Sequence, residues 1–111
     1  MTAVSGNALL VAGAKASVPL ARLPDVLDTA ETEVDESRVR RECECVHDAD
    51  EKIYLAERGF WTTVGERAGL SAREADAVRR AHEEHFRSVG RRENRTAEFE
   101  TALELREAVV L

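Results

Sequence analysis

A small α+β domain, mainly helical, is the fold class this sequence predicts, with four or so short helices and one small β-hairpin. Three observations point there. Apolar residues recur at helical spacing through most of residues 60–90. A short β-rich run, KIYLAE (Lys52–Glu57), stands between an acidic turn and Arg58-Gly59. Finally, 43% apolar and 34% charged residues over 111 positions suit a globular chain with one core of ordinary size, so residues 1–111 are read as a single domain. An all-α bundle is the alternative, because the middle of the chain supports two readings.

The first expected helix covers residues 8–16, with capping groups available from Ser5 to Asn7. It is apolar around nearly its whole circumference, which suits an interface segment. Ser17-Val18-Pro19 ends it. Leu20, Leu23, Leu27, Ala30 and Val34 then recur at steps that predict a second helix to about Glu36. Pro24 belongs in its first turn, and Asp25 and Asp28 complement the helix dipole there.

Residues 39–57 read either as one charged helix or as a hairpin of 39–47 and Lys52–Glu57. Asp48-Ala49-Asp50-Glu51 favours the hairpin, since Asp side chains stabilise turns and compete with the helical backbone. Phe60, Trp61, Val64 and Ala68 predict the next helix, stopped by Gly69. Ser71, followed three residues later by Glu74, is a capping box. Ala75, Val78, His82, Phe86 and Val89 mark the buried stripe of a helix ending near Gly90. The last element carries two periods, since Phe99, Ala102, Leu103, Arg106, Val109 and Val110 fit a helix while Phe99, Thr101, Leu103, Leu105, Val109 and Leu111 alternate as in a strand. Its alanines and glutamates favour the helix. The chain closes on the apolar tail 108–111, for which we expect a covering surface.

The densest group of ligand-type side chains is Cys43, Cys45 and His47. On a strand, the period of two puts all three on one face, the start of a zinc or copper site that needs a fourth donor such as His82. On a helix, Glu44 and His47 form the E-x-x-H pair used by di-iron bundles, with Glu31, Glu83 and Glu84 as further donors. Against both readings, C-x-C is not a zinc-knuckle spacing, and cysteines commonly pack as small hydrophobes. Two cysteines so close in sequence are also poorly placed to bond to each other. His82, inside the stripe, and His85, at its edge, need partners for their ring nitrogens.

Residues 60–90 also have the outline of a helix-turn-helix unit. Arg73, Arg79, Arg80 and Arg87 are then the phosphate contacts, and residues 71–95 carry seven arginines against five acids. Against this reading, the chain as a whole is acidic, at −6, and Glu74 and Asp76 occupy the first turn of the supposed recognition helix. No phosphate-binding glycine loop, G-x-S-x-G or H-E-x-x-H motif occurs, and no run approaches the roughly 20 apolar residues of a membrane helix. These readings lead us to expect a cytoplasmic protein-protein interaction module without catalytic activity or cofactor. Its expected partner is a second copy, forming a homodimer, or another protein, with apolar residues 8–16 and 108–111 at the interface. DNA binding and zinc binding are the alternatives.

Overall fold

Residues 71–92 set the frame. Ser71 Oγ accepts the Glu74 amide at 3.1 Å while the Glu74 carboxylate accepts the Ser71 amide at 2.9 Å, so the capping box closes in both directions. From it runs the longest helix of the computed structural model, which describes residues 2–16 and 18–111; Ser17, one of the expected breakers, lies outside the described residues. In chain order the elements are α1 (Gly6–Ala16), α2 (Leu23–Thr32), α3 (Glu36–Glu42), β1 (Glu44–Asp48), β2 (Lys52–Glu57), α4 (Phe60–Ala68), α5 (Ala72–Arg92), α6 (Thr96–Leu105) and β3 (Arg106–Val110). This is the expected mixed fold, with six helices and a three-stranded antiparallel sheet among the described residues.

Helix α5 is the hub, packing against α1, α2, α4, α6 and β3. Ala75, Val78, His82, Phe86 and Val89 are all buried, as their spacing predicts. Small residues allow close approach. A Cβ on Gly65 of α4 would lie 2.6 Å from the Ala75 Cβ, and one on Gly90 would lie 2.9 Å from the Phe99 ring. Phe99 instead stacks on Phe86 at 4.0 Å. Helix α4 is bracketed by Gly59 at φ 87° and Gly69 at φ 76°, a left-handed conformation that side chains with a Cβ seldom adopt.

The structure revises three boundaries. Helix α2 starts at Leu23 with Pro24 in its first turn, but it stops at Thr32 rather than continuing to Glu36. Asp35 then accepts the Arg38 amide at 3.1 Å and starts the separate helix α3. That helix takes up residues 39–42, so the hairpin's first strand is only Glu44–Asp48, while its second is Lys52–Glu57 as expected. The C-terminal segment is not one helix. Its helical period holds for Thr96–Leu105, and Arg106–Val110 then becomes β3, which pairs with β2 from Ile53↔Val110 to Glu57↔Arg106.

Strand β3 also changes the account of the apolar tail. Ala108, Val109 and Val110 are buried within this chain, alongside β2, where Ile53, Tyr54, Leu55 and Ala56 are buried on both faces. The tail is covered by its own sheet and by α5 and α6. Helix α1 differs. It buries Ala8, Ala12, Gly13 and Ala16 against the core and leaves Leu10, Val11 and Ala14 exposed.

Candidate functional site

The expected ligand cluster is taken apart by the backbone. Cys43 lies outside β1, as the C-terminal cap of α3. A bulge at Val46 then puts Cys45 opposite Tyr54 and His47 opposite Ile53. Tyr54 and Ile53 are adjacent on β2 and point to opposite faces, so Cys45 and His47 do too. Cys45 is exposed, its thiol donating to the His47 carbonyl at 3.4 Å, whereas His47 turns Nδ1 toward Glu93 at 3.2 Å. His82 is fully buried and engaged elsewhere. Among the described residues no group of three His, Cys, Asp or Glu side chains is arranged to hold a metal ion, so the structure lends the zinc reading of Cys43, Cys45, His47 and His82 no support.

The basic residues fare similarly. Arg79 bonds Asp76 and Glu83 at 2.6 Å each, Arg80 bonds Asp76 at 2.8 Å, and Arg87 bonds Glu100 and Glu84 at 2.7 and 3.0 Å. These guanidiniums are already neutralised by carboxylates of the same chain, which opposes phosphate binding. Arg73 is exposed on the outer side of the first turn. Helix α5 also packs against five other elements, α1, α2, α4, α6 and β3, and so serves as the hub of the core. The helix-turn-helix outline of residues 60–90 is occupied by a core helix pair, and the structure lends the DNA-binding reading no support.

What the sequence did not disclose is how both histidines of α5 are held. Val110 N–H donates to His82 Nδ1 at 3.0 Å, and Trp61 stacks on the ring at 4.3 Å. His82 Nε2 lies 2.9 Å from Glu31 Oε2, although the carboxylate stands out of line with the ring N–H and acts more as a charge than as a directed acceptor. Burial pushes His82 below the ordinary imidazole range, against the opposing pull of Glu31. One turn along, Ser5 N–H donates to His85 Nδ1 at 3.0 Å, and His85 Nε2 faces Glu51 at 3.2 Å. Burial disfavours the charged form of Glu51, but His85 and Arg92 outweigh it and hold the carboxyl below its usual range.

Glu107 is the other unforeseen residue. Buried on β3, it accepts the backbone N–H groups of Gly59 at 2.8 Å and Trp61 at 3.0 Å, closing the start of α4. The Trp61 indole donates to the Ala108 carbonyl at 3.0 Å. A side chain from the far end of the chain thus caps α4, where no local residue does.

Two surface features remain. A groove of about 500 Å³ runs between α3, the end of β2 and α4, with Val34, Val39, Ala56, Phe60 and Val64 in its lining and charges of both signs around them. Cys43 borders it, its thiol pushed up by burial and by Glu42, so it is a poor nucleophile. The second feature is apolar. Leu10, Val11 and Leu20 are 53%, 38% and 50% exposed, and Leu20 packs beside Gly13 of α1, one turn from Leu10.

The chain belongs to the family described as Domain of unknown function (DUF8048), whose profile matches residues 2–111. No curated protein and no solved structure matches it. No helix among the described residues is long and apolar enough to cross a membrane.

Proposed function

We propose that this protein is a non-catalytic interaction module that pairs with a second copy of itself through the outer face of α1 and the adjoining Leu20. One observation carries the reading. Among the described residues, three of the four large hydrophobic side chains that stand exposed, Leu10, Val11 and Leu20, belong to this one surface. Lys15 is the only charged residue in the eleven of α1, within a chain that is 34% charged. A face so depleted in charge is suited to meeting its own image across a two-fold axis, and Ala14 between the larger side chains lets two helices approach closely. Its reach is modest. Withdrawing each half-exposed side chain from water contributes on the order of 1 kcal/mol, against an association cost of about 4 kcal/mol or more. The pair is therefore weak and concentration-dependent. We place the protein in the cytoplasm, a reading supported by two free cysteines whose spacing disfavours a bond between them.

Sedimentation equilibrium over a wide concentration range tests the reading. The average mass should climb from that of one chain toward that of two, and Leu10→Glu should hold it at one. A wild-type mass that stays at one chain throughout, or a Leu10→Glu variant that pairs as well as wild type, defeats the proposal.

A further inference from the structure

Residues 2–5 form an arm that runs over both histidines of α5 before α1 begins. Thr2 Oγ1 donates to Glu31 Oε2 at 2.8 Å, the same oxygen that faces His82 Nε2. Val4 is buried. Ser5 acts in two directions. Its side-chain oxygen accepts the Ala8 amide at 3.2 Å and its carbonyl accepts the Leu9 amide at 3.1 Å, which starts α1, while its own N–H goes to His85 Nδ1. The arm and the first turn of α1 thus share one anchor, and that anchor is a lone pair on a titratable ring.

A ring nitrogen can accept an N–H only while it carries no proton. Ser5 N–H to His85 Nδ1 therefore fixes the neutral form, with the hydrogen on Nε2 toward Glu51. A second proton would face the Ser5 hydrogen with another hydrogen and cancel the bond. The other side of the ring would tolerate the charge, because Glu51 lies 3.2 Å from Nε2 and Arg92, 3.4 Å from Glu51, only partly offsets it. Protonation thus keeps the ring in place and penalises the arm. His82 behaves differently. It is fully enclosed by the Trp61 ring, Val110 N–H and Glu31, with His85 the other titratable group bearing on it, and its titration is pushed to lower pH. It keeps its grip on β3 while His85 changes state.

We propose that residues 2–5 are an acid-released strap, held down by neutral His85 and lifted together with the first turn of α1 when that ring takes a second proton, while His82 keeps β3 docked. The proposal is independent of self-association, since it concerns the inner side of α1 and its N-terminal anchor.

Amide hydrogen exchange followed by NMR on the full chain, at several pH values between 7 and 5 and corrected for the intrinsic pH dependence of exchange, tests it. The Ser5, Ala8 and Leu9 amides should lose protection by up to about tenfold per pH unit once His85 titrates, the slope of a single linked proton. The Val110 amide, held by His82 in the interior, opens only with the whole fold, so it should stay better protected than the Ser5 amide at every pH and decline only with global stability. His85→Asn offers Ser5 an acceptor that does not titrate and should flatten the slope. Protection at Ser5 that does not change with pH, or that equals the protection at Val110 throughout, overturns the proposal, as does an unchanged slope in a folded His85→Asn variant. Should that variant fail to fold, the wild-type ring nitrogen shifts decide: a His85 Nδ1 that is protonated while the Ser5 amide stays protected refutes it.

Discussion

Removing the Glu107 carboxylate should weaken the fold more than any other surface-like charge in the sequence. In Glu107→Ala the Gly59 and Trp61 amides, now held at 2.8 and 3.0 Å, lose their acceptor at the first turn of α4. Hydrogen bonds to an ionised group contribute about 1.5–3 kcal/mol each, and a deleted helix cap alone costs about 1 kcal/mol. The two bonds share one carboxylate and are not additive, and deleting a buried charge returns part of its desolvation penalty. The expected net loss is about 3 kcal/mol. In urea, with a slope of about 1.5 kcal/mol per molar for a chain of this size, the midpoint should fall by about 2 M. Trp61, the sole tryptophan and fully buried, reports the transition through its fluorescence. Glu107→Gln keeps one acceptor oxygen and turns an NH₂ group toward the second amide, so it should fall between wild type and alanine. A Glu107→Ala loss below about 1 kcal/mol, or a glutamine variant as weak as the alanine one, would refute the view that this carboxylate caps α4.

Other outcomes can be read with similar means. Gly65→Ala should destabilise despite a gain of about 1 kcal/mol in helix propensity, because the new methyl meets the Ala75 Cβ at 2.6 Å and α4 must shift from α5; overpacking of this kind costs about 1–3 kcal/mol. A more stable alanine variant would contradict that close approach. Stability should also decline on acidification. His82 binds its proton less readily folded than unfolded, so its contribution is complete above the unfolded value of about 6.5 and is lost as pH falls below it, at up to about 1.4 kcal/mol per unit. Glu51, held low in the fold, adds a loss in the same direction below about 4.5. A flat urea midpoint from pH 7 to 5 would contradict the His82 part. In alkylation followed by mass spectrometry, exposed Cys45 should label well before Cys43, which is half-buried and has its thiol pushed up; the reverse order would undo that account.

Local chemistry explains which parts of this fold were legible. The capping box at Ser71 and Glu74, the stripe from Ala75 to Val89 and the strand Lys52–Glu57 each depend on neighbours within a few residues, and each was found where its pattern puts it. The segment after Thr96 was ambiguous because both of its periods are real, the helical one ending at Leu105 and the strand beginning at Arg106. Asp35 was a readable cap that the apolar repeat through Val34 concealed. The cysteine cluster dissolved for want of two facts, the end of α3 at Cys43 and the bulge at Val46, to both of which a strict period of two is blind. Glu107 gave no usable signal, since a glutamate near the start of a strand reads as solvent-facing until its partners 46 and 48 residues away are known. The histidines were correctly suspected of needing partners, but Val110, Glu31, Ser5 and Glu51 come from four separate stretches of chain.

The place of β3 in the sequence has a consequence for the order of assembly. This strand supplies the carboxylate that starts α4, the carbonyl that receives the indole of Trp61 and the amide that satisfies His82. Until residues 106–110 have left the ribosome, every one of those groups waits without its mate in the middle of the molecule. A growing chain can wind α5 early, because its cap is local, yet it cannot close its interior around that helix ahead of time. Synthesis and consolidation are therefore out of step, and polypeptides halted shortly before Arg106 should behave as loose, protease-sensitive intermediates.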